Sequence, residues 1–197
     1  MGVMLSAAGS FSWLRHLVGA EPEALDVEAE RWPAGAEGLL FAPYLAGERT
    51  PHVDAYARGA FTGLSLRHDR GALARAVMEG VAYGLRDSLE LLRGLGVEPS
   101  VGRVSGGGFR SRLWTQIVAS VLDLPLERTE SEAGAAFGAA LLAGVRAGVF
   151  ADVGDAVARC VRPVDRVEPD PAWVEAYADG YGRFRSLYPA LRPLEGT

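Results

Sequence analysis

Val104-Ser-Gly-Gly-Gly-Phe-Arg-Ser-Arg-Leu-Trp114 is the stretch on which the fold turns. A β-rich run, Val101 to Ser105, ends in three consecutive glycines, Gly106, Gly107 and Gly108, and an amphipathic helix is expected to follow at once. Glycine has no Cβ and tolerates positive φ, so the flat face of a ligand can approach the backbone closely. A helix start adds unpaired N–H groups and the positive end of a dipole. Strand, glycine turn and helix together read as a nucleotide-binding corner. It is not the dinucleotide fingerprint, because Ser111 stands where the third glycine of Gly106-x-Gly108-x-x-Gly would be. It is not a P-loop either, since that needs a lysine and all 20 basic residues of the chain are Arg. A glycine-rich βα connection with no ligand has the same spacing, and spacing alone leaves the two readings level.

Outward from this corner the chain alternates helical and extended patterns. Towards the N-terminus, Val3 to Val18 has apolar residues at helical spacing and stops at Gly19. Ala20 to Gly38 is acidic, holds Pro22 and Pro33, and reads mainly as a connection with room for one short helix. Leu39 to Tyr44 reads as a buried strand, Leu45 to Arg58 as an ordered polar loop, and Ala60 to Leu64 as a second short strand. Asp69 is an N-cap for a long helix to about Leu95, with Leu73, Val77, Val81, Leu85, Leu89 and Leu92 as its apolar stripe. Gly80 and Gly84, one turn apart, invite another backbone to pack closely.

Beyond the corner, Leu113 to Leu122 reads as a helix, Pro125 to Arg128 as a strand and Cys160 to Val167 as extended. Gly134 to Gly148 reads as a helix of mostly Ala and Gly, whose small face is expected to sit tight on a partner. Asp170-Pro171 opens the last helix, with Trp173, Tyr177, Tyr181 and Phe184 spaced as a packing stripe. This order argues an α/β fold with helices on a sheet.

Composition narrows the function. The 197 residues are 49% hydrophobic and 23% charged, enough for a domain with a real core. A net charge of −5 without a basic block argues against nucleic acid. The absence of lysine removes Schiff-base and lysine-base chemistry. One cysteine, Cys160, and three scattered histidines match no zinc spacing. Apolar windows are short and broken, so no membrane span is expected, and with no signal-like start the expected location is cytoplasmic.

An ordered series of segments now carries a resemblance. Leu45-Ala-Gly-Glu-Arg-Thr-Pro-His52 is followed by Ala57-Arg-Gly-Ala-Phe-Thr-Gly-Leu64 and Leu73-Ala-Arg-Ala-Val-Met-Glu-Gly-Val-Ala82. Ser105-Gly-Gly-Gly-Phe-Arg-Ser-Arg-Leu-Trp114 and Gly134-Ala-Ala-Phe-Gly-Ala-Ala-Leu-Leu-Ala143 complete it. Together they resemble the C-terminal domain of FGGY-family carbohydrate kinases, and the Gly-Glu-Arg-Thr-Pro-His variant is most similar to the xylulokinase branch. Residues 1–197 would then form one C-terminal nucleotide-binding domain. The resemblance implies an actin-like, ribonuclease H-like ATPase fold, ATP with Mg²⁺, and a sugar as phosphoryl acceptor. It places the catalytic Asp, the sugar site and the domain's first strands before Met1, so that an N-terminal kinase half is the expected partner. An incomplete sheet of this kind would leave an open edge and an only partly covered Leu39 to Tyr44 strand. A homo-oligomer is compatible with all of this. Glycerol, ribulose, gluconate or fuculose are rival substrates, and a catalytically inactive nucleotide-binding remnant is a rival of another class.

The site residues carried by the resemblance are Gly106, Gly107, Gly108 and Ser111 for adenosine, with Ser12 approaching the nucleoside from the side. Where the family pattern has a polar residue such as His before Leu73, this chain has Ala72, read as a change on an exposed helix turn. Glu48 and Arg49 have two readings: a cleft loop that organises sugar or phosphate, or an Arg–carboxylate pair that holds the loop shut, the second being favoured. Glu79 is expected to be a structural hydrogen-bond acceptor rather than a general base. His52 and His68 are expected at the surface or in loops.

Overall fold

The computed structural model describes residues 1–130 and 134–194. Eight α-helices and five short strands are described: α1 (Ala7–Val18), α2 (Pro22–Glu30), β1 (Leu40–Ala42), β2 (Ala60–Thr62), α3 (Arg70–Gly94), β3 (Gly102–Val104), α4 (Arg112–Leu122), β4 (Leu126–Thr129), α5 (Gly134–Arg146), α6 (Val153–Cys160), β5 (Pro163–Val167), α7 (Pro171–Arg185) and α8 (Leu187–Leu191). They form two small sheets. β1 and β2 are antiparallel, pairing Leu40 with Thr62 and Ala42 with Ala60. β3 and β4 are parallel, and β5 joins β4 antiparallel in the order β3-β4-β5. Among the described residues β3 is therefore paired along one edge only.

The long helix α3 is the axis of the molecule, with α1, α2, α4, α7 and β1 packed around it. Its start is local chemistry: Asp69 accepts from the Ala72 N–H at 3.0 Å and satisfies one of the orphan donors of the first turn. The stripe expected on one face is an understatement. From Gly71 to Gly84 nearly every residue is buried, so the helix is enclosed rather than amphipathic. Ala72 is fully buried, which corrects its reading as an exposed position. A buried methyl fits where a bulkier polar side chain would need both room and partners. The Leu39 to Tyr44 strand is likewise covered, with Leu39 and Ala42 fully buried and Phe41 at 1% exposure. α3 packs directly on it.

That packing depends on Gly80, where an added Cβ would collide with the carbonyl oxygen of Phe41 in β1. Gly80→Ala is expected to cost about 1–3 kcal/mol of stability through overpacking. The readout is the midpoint of urea unfolding, and an unshifted midpoint would mean that β1 and α3 can move apart freely.

α2 is the one short helix for which the Ala20 to Gly38 connection had room, and Pro22 stands at its start, where a missing N–H costs nothing. Other sequence readings need adjustment. α6 and α8 lie in stretches to which the sequence reading assigned no element. α5 packs chiefly on α6 and has no buried residue, so its small face does not sit tight against a partner among the described residues. In α7 Trp173 is half-buried, while the other three stripe aromatics are buried as expected, Tyr177 fully, Phe184 at 1% and Tyr181 at 9% exposure. Tyr83 of α3 meets these rings at centroid distances of 5.3–6.1 Å. No described helix is long and apolar enough to cross a membrane.

Candidate nucleotide site

The glycine corner is built as strand, 3₁₀ turn and helix, not strand directly into α-helix. β3 ends at Val104, Gly106 turns the chain at φ 100°, and a 3₁₀ turn from Gly107 to Arg110 precedes α4. Only glycine adopts such a φ without strain. Ser111 then does two things at once. It closes the 3₁₀ turn, its N–H donating to Gly108 O at 3.3 Å, and it caps α4, its Oγ accepting from Trp114 N at 2.9 Å. Thr115 Oγ1 donates back to Ser111 O at 2.8 Å, which fixes the turn from the helix side.

A cavity of about 370 Å³ opens at this corner. Gly107, Gly108, Ser111 and Arg110 line one side of it, Ala8, Phe11 and Ser12 of α1 another, and Pro22, Glu23 and Asp26 of α2 a third. Trp114 closes the floor. Its indole N–H donates to Met78 O in α3 at 3.0 Å, and its ring lies 5.4 Å from that of Phe11. An added Cβ on Gly108 would press on the Trp114 ring at 3.2 Å, whereas one on Gly107 would meet nothing within 4 Å. Gly107 thus presents bare backbone to open space in the cavity.

The structure therefore brings Ser12, far off in sequence, to the same cavity as Gly107, Gly108 and Ser111. Gly106 lies in the same turn but lines a separate cavity of about 230 Å³ with Ser105, Arg128 and Thr129. Asp26 was not singled out in the sequence. Ser111 Oγ donates to its Oδ1 at 2.8 Å across 85 residues of chain. Burial pushes the Asp26 carboxyl above the usual Asp range against the pull of the Ser111 hydrogen bond, and nearby Glu30 and Glu23 push it the same way. Its only sequence signal was its place in a helix of three acidic neighbours, which by itself reads as a solvated face.

Glu48 and Arg49 do not reach this cavity. Glu48 is 2% exposed, and its Oε1 accepts from Arg49 N at 2.6 Å and from Leu5 N at 3.3 Å. Burial raises its carboxyl above the ordinary Glu value. The loop is thus held by backbone donors and not by the Arg49 guanidinium, which is exposed and forms no ion pair among the described residues. Val3 and Thr50 add a reciprocal pair, Val3 N to Thr50 Oγ1 at 3.0 Å and Thr50 N to Val3 O at 3.1 Å. His52 stacks on Tyr188 at 3.7 Å, and burial lowers its pKa. His68 Nδ1 accepts from Ser65 N in the loop before α3.

Glu79 sits in a closed network. Its Oε1 accepts from Arg75 Nε at 2.7 Å, Tyr177 OH at 2.9 Å and Gly35 N at 3.0 Å. Arg75 also donates to the Tyr177 oxygen at 2.6 Å, and its guanidinium lies 4.4 Å from the Trp173 ring centre. Burial raises the Glu79 carboxyl despite the adjacent Arg75, and both side chains of the pair are at most 2% exposed. A carboxylate with no access to a cavity is structural, as expected. Among the described residues no three His, Cys, Asp or Glu gather as a metal site.

Residues 2–147 match the model of the C-terminal domain of the FGGY family of carbohydrate kinases. A xylulose kinase of Staphylococcus epidermidis is 37% identical over 197 residues, covering 98% of this chain and 40% of that protein. A solved structure described as a xyloylose kinase from Brucella ovis superposes with a TM-score of 0.89 at 41% identity, covering 99% of this chain and 40% of that one. The xylulose kinase structure from Rhodospirillum rubrum gives 0.84 at 39% identity, over 98% and 40% of the two chains. The chain thus spans about two-fifths of the length of the relatives it matches.

Proposed function

The chain belongs to the FGGY family of carbohydrate kinases, and on that footing we propose that it supplies the ATP-binding part of a xylulokinase. The observation that carries the reading is the cavity in which Gly107, Gly108, Ser111 and Ser12 meet. Adenosine enters it, with bare Gly107 backbone facing the nucleoside. On this reading the rest of a relative-sized enzyme, the three-fifths that this chain does not cover, brings the sugar site and the base that takes the hydroxyl proton. Positioning and electrostatics then carry phosphoryl transfer from ATP to a hydroxyl of the sugar. Mg²⁺ is expected as the partner of the ATP phosphates. Xylulose is the acceptor that the relatives' names favour, and a cytoplasmic location fits a sugar kinase.

The test is nucleotide binding by the 197-residue chain, followed by amide NMR. ADP is expected to shift the resonances of Ser12 and of Gly106 to Ser111, while the chain alone phosphorylates no xylulose. Shifts confined to the Glu48–Arg49 loop, or none, would refute the site. Turnover by the chain alone would refute the division of labour.

A further inference from the structure

We infer that Asp26 reads the exocyclic position of the purine, accepting from the amine of adenine and excluding purines that carry a carbonyl there. The inference rests on the nucleotide reading of the cavity and adds a residue to it. Ser111 has one hydroxyl hydrogen, and it goes to Asp26 Oδ1 at 2.8 Å. The Ser111 oxygen already takes the Trp114 N–H as the cap of α4. Ser111 is left with no donor for a ligand. Asp26 is the reverse case: Oδ1 is engaged, the described residues offer Oδ2 no hydrogen bond, and the group lines the cavity.

An ionised carboxylate only accepts, so it welcomes a donor and repels an acceptor. At the exocyclic position adenine presents an NH₂ donor, and guanine presents an oxygen acceptor. Charge decides which end of the nucleotide lies here. Glu23 and Glu30 stand with Asp26 on α2, so a polyphosphate would be repelled from the α2 wall and drawn towards the glycine turn, where Arg110 lines the same cavity. The base is the end that fits beside Asp26. Sites built to hydrogen-bond one group reject its analogue strongly, because the buried polar atom is then left unpaired.

The experiment compares ADP with IDP, which has a carbonyl in place of the amine and an N1–H donor in place of the N1 acceptor. A wild-type preference for IDP would mean that the carboxylate meets N1–H instead and would overturn the inference. Binding to the 197-residue chain is measured by calorimetry, for wild type and Asp26→Asn. Wild type is expected to prefer ADP by about 10- to 100-fold, the range of one hydrogen bond to a charged group. In Asp26→Asn the Ser111 hydroxyl can still donate to the amide oxygen, leaving the amide NH₂ to face the ligand. The preference should then vanish or invert towards IDP. A reversal cannot come from unfolding, which would weaken both ligands alike. Equal affinities in wild type, or an unchanged ratio in Asp26→Asn, overturn the inference and leave the site standing. Failure of wild type to bind either nucleotide overturns the site itself, and the inference falls with it.

Discussion

Replacing Arg75 with Met should destabilise the protein by about 3–5 kcal/mol, the cost of stranding one member of a buried ion pair. Glu79 would keep the Gly35 N–H and the Tyr177 hydroxyl but lose the charge opposite it. Its second oxygen, Oε2, has no partner even in the intact network. Domains are stable by only about 5–15 kcal/mol, so the loss is a large share of the total. Methionine keeps most of the volume and spares the site a cavity, so the loss reports charge more than packing. Adding Glu79→Gln should return the larger part of it, because the amide remains an acceptor and carries no charge. The sign with pH follows from the raised Glu79 carboxyl. The folded state binds that proton more tightly than the unfolded state, so stability from this group is present at low pH and declines as pH rises above the unfolded value. Arg75→Met should therefore regain stability as pH falls from 7 towards 5. Urea unfolding at several pH values measures this. A loss that is flat with pH and untouched by Glu79→Gln would mean that packing, not the stranded charge, is responsible.

Gly107→Val should reduce nucleotide affinity by about 10- to 100-fold or more, the equivalent of forcing excess volume into a packed site. The choice of glycine matters. At Gly106 the backbone has φ 100°, so any side chain strains the fold, and at Gly108 it would press on Trp114. At Gly107 an added side chain meets no protein atom within 4 Å and projects into open space. The fold should survive and only the ligand should notice. Calorimetric titration with ADP, together with a melting curve for the variant, separates the two. A variant that melts like the parent and binds ADP equally well would place the nucleotide elsewhere.

What the sequence disclosed and what it hid follow a physical rule. Local chemistry was legible: Asp69 as a cap, Gly19 in a left-handed C-cap, Asp170 with Pro171 opening α7, the aromatic stripe of α7. Each depends on a few neighbouring residues. Features set by distant partners were not. Asp26 finds Ser111 across 85 residues, and its own surroundings in sequence look like a solvated acidic face. The burial of Ala72 depends on how fully other elements enclose α3, which periodicity along α3 alone cannot tell. Glu48 and Arg49 are adjacent in sequence and invite a side-chain pairing, yet the carboxylate turns to backbone N–H groups, those of Arg49 itself and of Leu5. Alanine and glycine in α5 suggested tight packing, but small side chains permit close approach without supplying a partner.

The enclosure of α3 also sets the order in which the molecule comes apart. Native proteins open in units, and the free energy of each opening grows with the apolar surface it must expose. α5 and α6 bury a single side chain between them, Ala156, so this pair stands at the low end and can breathe without disturbing the rest. α3 touches α1, α2, α4, α7 and β1, and the amides of its buried half can reach water only when those elements have left. The site borders α3 through Trp114 and Met78. Its floor therefore belongs to the part of the molecule expected to open last.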